Sequence, residues 1–449
     1  MKEEKVSKFK KFWVFMMVAA FFSLTLGAAA WARKPFEGIT IRAAMIGGGN
    51  YEKLYEEFIP KWEEETGGKV IIVAKMQHFE LDKKYKIDFA AGAADYDVMT
   101  NHTSFAPSYD KFGVLLDLTP YFTPEELADY PPGVLNMNRI GGRLVQIPRH
   151  IDISNIYYRT DLFNNLKNKT AFKAKYGYEL RPPDTWDEVY DMAEFFNNPP
   201  KVYGTQFTGK EEAFTGRFYE VLLSNGGALF DPAWKPVFNS PIGIKTLNYF
   251  KKLYQNGLVP PGVVNYVWDD VAKNFATGKI AFHLDWGGWY PWYRDPKASK
   301  VAEVFDYALM PKGDSGIRVH WAGCHSFSVL NTSKHKEAAV SLVKYLTSRE
   351  AGIYEAELGF GAVRKSVWDY IIESTIEPRK RHFYEVYKYC LTKDRVVTPP
   401  LIPQWPAFSN ILYPELQAAI LGAKPVKKAL DDAATVSYTH LTLPTICSV

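Results

Sequence analysis

"GGRLVQIPRHIDISNIYYRTDLF", residues 141–163, holds two strand-like runs separated by a short polar stretch. A polar break inside otherwise β-prone sequence is expected where the chain crosses from one lobe to another. The sequence before it fits that reading. "GITIRAAMI" reads as a buried strand followed directly by "GGGN", "KVIIVAKM" as a second strand and "DYDVMTNH" as a third. Between them, "YEKLYEEFIPKWEEETG" repeats apolar positions at Leu54, Phe58 and Trp62. That spacing predicts a helix, bent at Pro60 and stopped at Gly67. "FELDKKYKIDFAAGAA" predicts the next helix. Strands alternating with helices imply a parallel sheet with crossovers, and ligands in such sheets sit beyond the carboxyl ends of strands. "GGGN" and "NHTS" are loops at two such ends.

Downstream, "RPPDTWDEVYDMAEFFNN" opens with Thr185 as N-cap and Glu188 three residues on, a capping box. "NSPIGIKTLNYFKKLYQNGL" has Ser240 as N-cap, Pro241 at the first helical position and Gly257 past the end. "SKHKEAAVSLVKYLTSREAG" reads as one further helix. "LYPELQAAILGAKPVKKALDDAA" is the last, interrupted near Gly422 and Pro425.

The chain has 449 residues, too many for one compact core, so two lobes are expected. Its start has the layout of a secretory signal peptide: Lys2, Lys5, Lys8, Lys10 and Lys11, an apolar run, then the small-x-small Ala30-Trp31-Ala32. The alternative is an uncleaved anchor. No cysteine lies near the cleavage point, so a lipid anchor is not expected, and the product is placed in the periplasm. Five lysines and two glutamates leave with residues 1–32, so the formal charge of +4 falls to about +1. That balance is no nucleic-acid signature, and a monomer without nucleic-acid partners is expected. Cys324 and Cys390 could pair, but spacing alone does not show it. The ending "VSYTHLTLPTICSV", with Cys447, departs from the helical pattern before it, and residues 436–449 read as a non-native tail.

There is no CxxC, HExxH, GxxxxGK[ST] or GxSxG, and the nine histidines lack metal-ligand spacing. No catalytic residue, metal or cofactor is therefore expected. Aromatic residues, however, make up 15% of the chain, well above ordinary usage. They concentrate in "DWGGWYPWYRDP", residues 285–296, where glycines and a proline prevent a long helix. This stretch is either core in an awkward loop or a flat platform for a ligand.

The order of motifs resembles a known family: the extracellular solute-binding proteins of bacterial ABC importers, in the sugar-binding branch related to maltose-binding protein. "IPRHIDISNIYYRTDLF" is similar to that family's first inter-lobe crossing. "RPPDTWDEVYDMAEFF", "NFATGKIAFHLDWGGWY", "ALMPKGDSG", "SKHKEAAVSLVKYLTSREA" and "LGFGAVRKSVW" follow in the family's order, so the likeness spans roughly 36–435. It implies a two-lobe α/β fold, each lobe a mostly parallel sheet flanked by helices, with crossings near 149–153, 308–312 and 350–360. Lobe 1 would be 33–150 plus 309–350, and lobe 2 would be 151–308 plus 351–435. A carbohydrate would be held between the lobes and delivered to membrane permease subunits by hinge closure.

Sugars offer apolar C–H faces and a rim of hydroxyls, which call for aromatic surfaces and short polar groups. The resemblance places Trp286 and Trp289 where the family stacks its ligand, with Gly287 and Gly288 giving a sugar ring room. Asp152 would accept hydroxyl hydrogen bonds; its other reading is a hinge cap. His150, Asn101 and His102 lie at further contact points, and Gly49 and Asn50 supply the first loop. Trp321 and Gly323 lie where the chain returns past the cleft. Phe214 and Arg217 would line the second lobe, and Trp405 would close the rim or pack at the surface. Trp292 and Tyr293 are expected to pack. Arg149 and His150 would select an acidic or phosphorylated sugar, unless Arg149 pairs with a carboxylate. Two other readings are a secreted carbohydrate-active enzyme, needing two carboxyl groups about 5 to 10 Å apart, and a binding protein serving a chemoreceptor.

Overall fold

A computed structural model describes residues 34–48 and 50–442. The signal-peptide reading and Cys447 lie outside the described residues. The first lobe opens with β1 (Thr40–Ile46), α1 (Tyr51–Thr66), β2 (Lys69–Met76), α2 (His78–Ala90) and β3 (Val98–His102). β1 pairs in parallel with both β2 and β3, as strand–helix alternation requires. α1 buries Leu54, Tyr55, Phe58, Ile59 and Trp62 and ends at Gly67, whose φ of 77° suits glycine. Pro60 lies inside α1 on its exposed side.

The crossing segment contains no break. Its two strand-like runs form one 13-residue strand, β4 (Ile147–Arg159), with a register shift between Pro148 and His150. The polar residues stay in the strand because one neighbouring strand pairs with residues 147–153 and two others take over across residues 154–159. The second lobe adds α3 (Trp186–Phe196), α4 (Glu211–Ser224), α5 (Pro241–Gln255), α6 (Trp268–Ala276), β5 (Phe282–Trp286) and β6 (Phe305–Ala308). β7 (Val319–Val329) returns through the centre. The eight-stranded sheet runs β2-β1-β3-β7-β4-β5, with β6 also on β4 and a short strand, Arg395–Val397, on β7. The parallel character is confined to β2-β1-β3 and that short strand; β7 and β4 are antiparallel to each other, and β5 and β6 are antiparallel to β4. The sheet is mixed because the outgoing and returning chains traverse its middle in opposite directions.

Two buried apolar clusters flank it. The first gathers β1–β3, α1 and α2; the second gathers α3, α4, α5 and the last two helices, and β4 feeds both, with Ile151 and Ile153 in one and Ile156 in the other. After β7 come α7 (Lys336–Leu346), α8 (Arg349–Glu357), α9 (Lys365–Ser374) and α10 (Pro378–Lys393). Ala351, Ala356, Val367, Trp368 and Ile371 join the first cluster, whereas Trp405, Phe408 and Leu412 join the second. Residues 349–374 thus pack on the α1 side rather than with the second cluster.

The caps behave as their side chains dictate, with one difference. Thr185 and Ser240 accept N–H bonds from Glu188 and Gly243, although Glu188 reaches back to the Asp184 N–H rather than to Thr185. The single helix expected over 333–352 is two, because the Ser348 hydroxyl accepts the Ala351 N–H and starts α8. Ser348→Ala is expected to cost about 1 kcal/mol, measured by urea unfolding. The closing pair, α11 (Trp405–Ile420) and α12 (Val426–Thr442), breaks at Gly422 as read. α12 runs on through the first residues of the suspected tail, and Ser437 is buried. Cys324 and Cys390 are both buried and free, so the pairing considered above is not formed.

Candidate functional site

Side chains two apart on a strand share a face. On β7 that places Trp321, Gly323 and His325 together, and on β4 His150, Asp152 and Ser154. The register sets His325 beside both His102 and His150, Gly323 beside Asp152, and Ser154 beside Trp286. Sequence positions more than 200 residues apart thereby form one strip across β3, β7, β4 and β5.

One end of the strip is built from histidines. The rings of His102 and His150 lie 4.9 and 4.7 Å from that of His325, and His78 lies 5.1 Å from His325. Tyr51 packs on His325 at 5.2 Å, and Phe360 stacks on His150 at 4.4 Å. Burial holds the His102 and His325 imidazoles well below the ordinary histidine range, so both are neutral at pH 7.

Asp152 occupies the middle, its side chain 21% exposed and its Oδ2 3.9 Å from His325 Nε2. Its Oδ1 is buried without a hydrogen-bond partner. Burial raises this carboxyl above the ordinary aspartate range. Two glycines make the fit possible: a Cβ on Gly323 would lie 2.6 Å from His102 Nε2, and one on Gly288 would lie 2.6 Å from Asp152 Oδ1.

The other end is aromatic. Trp268, Trp286 and Trp321 meet edge to face, with centroids 5.0, 5.4 and 5.2 Å apart. The Arg217 guanidinium lies 5.1 Å above Trp268 and 5.7 Å above Trp286. Arg217 is itself held by Glu220 at 2.8 Å and by the Ser154 hydroxyl, and Glu220 also accepts the Trp321 N–H. Trp321 can lie against α4 only because residue 216 is glycine; a Cβ there would sit 1.5 Å from the indole. Trp268 and Trp286 keep partly exposed faces, whereas Trp321 is buried.

The structure thus brings together His102, His150, Asp152, Trp286, Gly288, Trp321 and Gly323, with Arg217 as support beneath the tryptophans. Other sequence candidates sit elsewhere or have different roles. Phe214 is fully buried between Phe207 and Phe250, because α4 packs that face into the second core. Trp405 is buried in the same core, its indole N–H donating to Glu212. Asn101 is buried and donates to Ser328. Gly287 makes room for the Tyr387 hydroxyl and Gly288 for Asp152, so the space these glycines leave is filled by protein atoms. Asn50 caps α1 without a side-chain bond, and Gly49 lies outside the described residues. Trp289 is partly exposed beside Trp292, its indole N–H buried without a partner. Tyr293 packs as expected, donating to the buried Asp285. Arg149 is buried and committed to Glu355 and the Tyr55 hydroxyl, so it offers nothing to an acidic ligand. Trp268, Tyr51 and His325 were missed. His325 was legible, since it continues the every-second-residue pattern of Trp321 and Gly323; Trp268 reaches the strip only through tertiary packing.

A cavity of about 490 Å³ opens away from the strip, between Asp184, Arg318 and the His382–Tyr389 face of α10. It shares no lining residue with the strip. The strip instead combines aromatic faces with hydrogen-bonding groups, the complement of a polyhydroxylated molecule.

Known proteins resemble this chain along most of its length. The family model for bacterial extracellular solute-binding proteins matches residues 48–353. A probable ABC transporter-binding protein of Deinococcus radiodurans is 28% identical over 343 residues, 74% of this chain and 77% of that one. A mannitol-binding protein of Pseudomonas aeruginosa is 24% identical over 276 residues, 61% of each chain. Among solved structures, an ABC transporter solute-binding protein of Agrobacterium radiobacter in complex with ribitol superposes with a TM-score of 0.74 at 25% identity, covering 91% of this chain and all of that one.

Proposed function

We propose that this chain, which belongs to the bacterial extracellular solute-binding protein family, captures a sugar or sugar alcohol on the Asp152 strip and presents it to the permease of an ABC importer. The observation that carries this reading is the meeting of two partly exposed indoles, Trp268 and Trp286, with a carboxylate whose Oδ1 has no protein donor. Indole faces take the C–H surface of the solute, and Asp152 accepts its hydroxyls. His102 adds a donor: the Ser104 N–H bonds to its Nδ1, which leaves the proton on Nε2. The mannitol and ribitol named for two relatives support a polyhydroxylated ligand of modest size.

Lobe 1 is assigned to 34–150 plus 309–350 and lobe 2 to 151–308 plus 405–435, with 351–393 bridging them. The two close about β4 near Asp152. Residues 1–32 direct export, and the mature protein works outside the cytoplasm as a monomer. Of the carboxylates at the strip only Asp152 has no arginine partner, since Glu355 and Glu220 are held by Arg149 and Arg217, whereas a glycosidase would place two free carboxyl groups across a scissile bond. Arg149 is unavailable to a phosphate or uronate, which favours a neutral solute.

A thermal-shift screen over sugar alcohols, mono- and oligosaccharides, uronates and polyol phosphates tests this. A melting temperature that rises with the concentration of a neutral member is the expected result. A response confined to peptides or polyamines would remove the carbohydrate assignment. Gly288→Ala should leave the fold intact but displace Asp152, and is expected to weaken binding of the responding solute about tenfold or more, read by calorimetric titration.

A further inference from the structure

Within the strip, three atoms able to hold a cation converge from two strands, His150 and Asp152 on β4 and His325 on β7. His150 Nδ1 lies 3.2 Å from the Glu355 carboxylate, which Arg149 holds ionised. The Nδ1 proton is therefore donated to Glu355, which leaves Nε2 as the ring atom available to a ligand. That Nε2 is buried with no hydrogen-bond partner, as is Asp152 Oδ1. The third atom comes from His325, whose Nε2 lies 3.9 Å from Asp152 Oδ2 and 3.4 Å from the Tyr51 hydroxyl. Ligand atoms of His150, Asp152 and His325 all fall within 4.8 Å of one another.

We propose that His150, Asp152 and His325 form a site for a divalent transition-metal ion, with open coordination positions turned toward the solute. Two imidazoles and one carboxylate on a common face suit zinc, cobalt or ferrous iron rather than calcium or magnesium, which prefer all-oxygen shells. The Glu355–His150 bond is the outer-shell contact that orients a metal-binding imidazole and fixes its tautomer. A cation would engage both unpartnered atoms together and compensate the Asp152 charge, whereas a single hydroxyl proton engages one. His102 stays outside the set, because its Nε2 carries the proton. Only the orientation of the open positions rests on the carbohydrate reading; metal binding does not require it.

The test uses the full chain stripped with EDTA, titrated with Zn²⁺ by calorimetry and with Co²⁺ by visible absorption. One Zn²⁺ per chain, ligand-field bands with Co²⁺ and a higher wild-type melting temperature with Zn²⁺ are expected. His325→Gln and Asp152→Asn, which nearly preserve volume, should each weaken Zn²⁺ about 100-fold or more, beyond the 10–100-fold typical of an outer-shell loss. Cys390→Ser, which alters the separate His320–Cys390–Asp394 group behind the sheet, should leave Zn²⁺ binding unchanged. Absence of stoichiometric Zn²⁺ binding, its persistence in both strip variants, or its loss in Cys390→Ser would overturn the proposal. Ribitol binding to metal-free protein without any Zn²⁺ binding would sink the metal site alone. Zn²⁺ binding without a response to any carbohydrate would sink the solute reading alone.

Discussion

Glu355→Ala is expected to cost about 3–5 kcal/mol of folding stability, the range for breaking a buried ion pair. Arg149 and Glu355 have side chains only 1% and 2% exposed. The guanidinium donates to Glu355 from Nε at 2.9 Å and to the Tyr55 hydroxyl at 2.8 Å, between the rings of Tyr55 and Phe327. Removing Glu355 leaves that charge buried without a counter-ion, and it also frees the His150 ring. The same pair sets a pH dependence. Burial alone would raise the Glu355 carboxyl, but Arg149 and His150 outweigh it and hold it at about 2. A folded-state value below the unfolded one means the unfolded chain binds more protons as the pH falls. The contribution is complete above about pH 4.5, the ordinary glutamate range, and is lost as the pH drops toward 2. Chemical denaturation at pH 7 and pH 3 should therefore show the gap between wild type and Glu355→Ala narrowing in acid. The double variant Arg149→Met/Glu355→Leu should recover most of the loss, because it removes both charges while keeping apolar volume. A single-variant cost below about 1 kcal/mol would contradict the buried pair.

Trp286→Ala should weaken solute binding by about 2 kcal/mol or more, roughly 30-fold, as expected for an aromatic anchor in a desolvated site. Trp268 and Trp321 stand edge-on to Trp286, and Arg217 lies over it. Its plane is therefore set before any ligand arrives, and little side-chain entropy is lost on binding. Truncation removes the stacking face and loosens Trp268. Trp405→Phe supplies the contrast: that indole lies in the second core beside Phe408, so affinity should stay within about twofold of wild type. Equal affinity in Trp286→Ala and wild type, measured by calorimetry, would show that the tryptophan cluster is packing alone.

The fold was largely legible because its signals are local. Ser240, Thr185 and Gly67 mark helix ends through their own side-chain or backbone preferences. β1–β3 were legible from apolar runs between helices. The crossing was harder. Its polar residues resemble a break, yet β4 is continuous because β7, β5 and β6 pair with it. Ser348 was hidden inside a helical period that it interrupts. The candidate strip was legible where a single strand carries it, as for Trp321 and Gly323, or where a family likeness points, as for Asp152 and Trp286. It was not legible where register decides. Nothing in the neighbourhoods of His102, His150 and His325 shows that three strands set them side by side. Arg149 looked like a ligand selector because its counter-ion, Glu355, lies 206 residues away. Phe214 and Trp405 sit at plausible distances along the chain, but their helices turn them into the core.

The strip across β3, β7, β4 and β5 is expected to bind a polyhydroxylated solute without transforming it. Calorimetric titration of the chain with ribitol, mannitol and a series of oligosaccharides, followed by recovery of the ligand, tests it most directly. Saturable binding of at least one of them at one site per chain is expected, with the ligand recovered intact and affinity lost in Asp152→Asn. No saturable binding across the series, or recovery of a cleaved ligand, would contradict it.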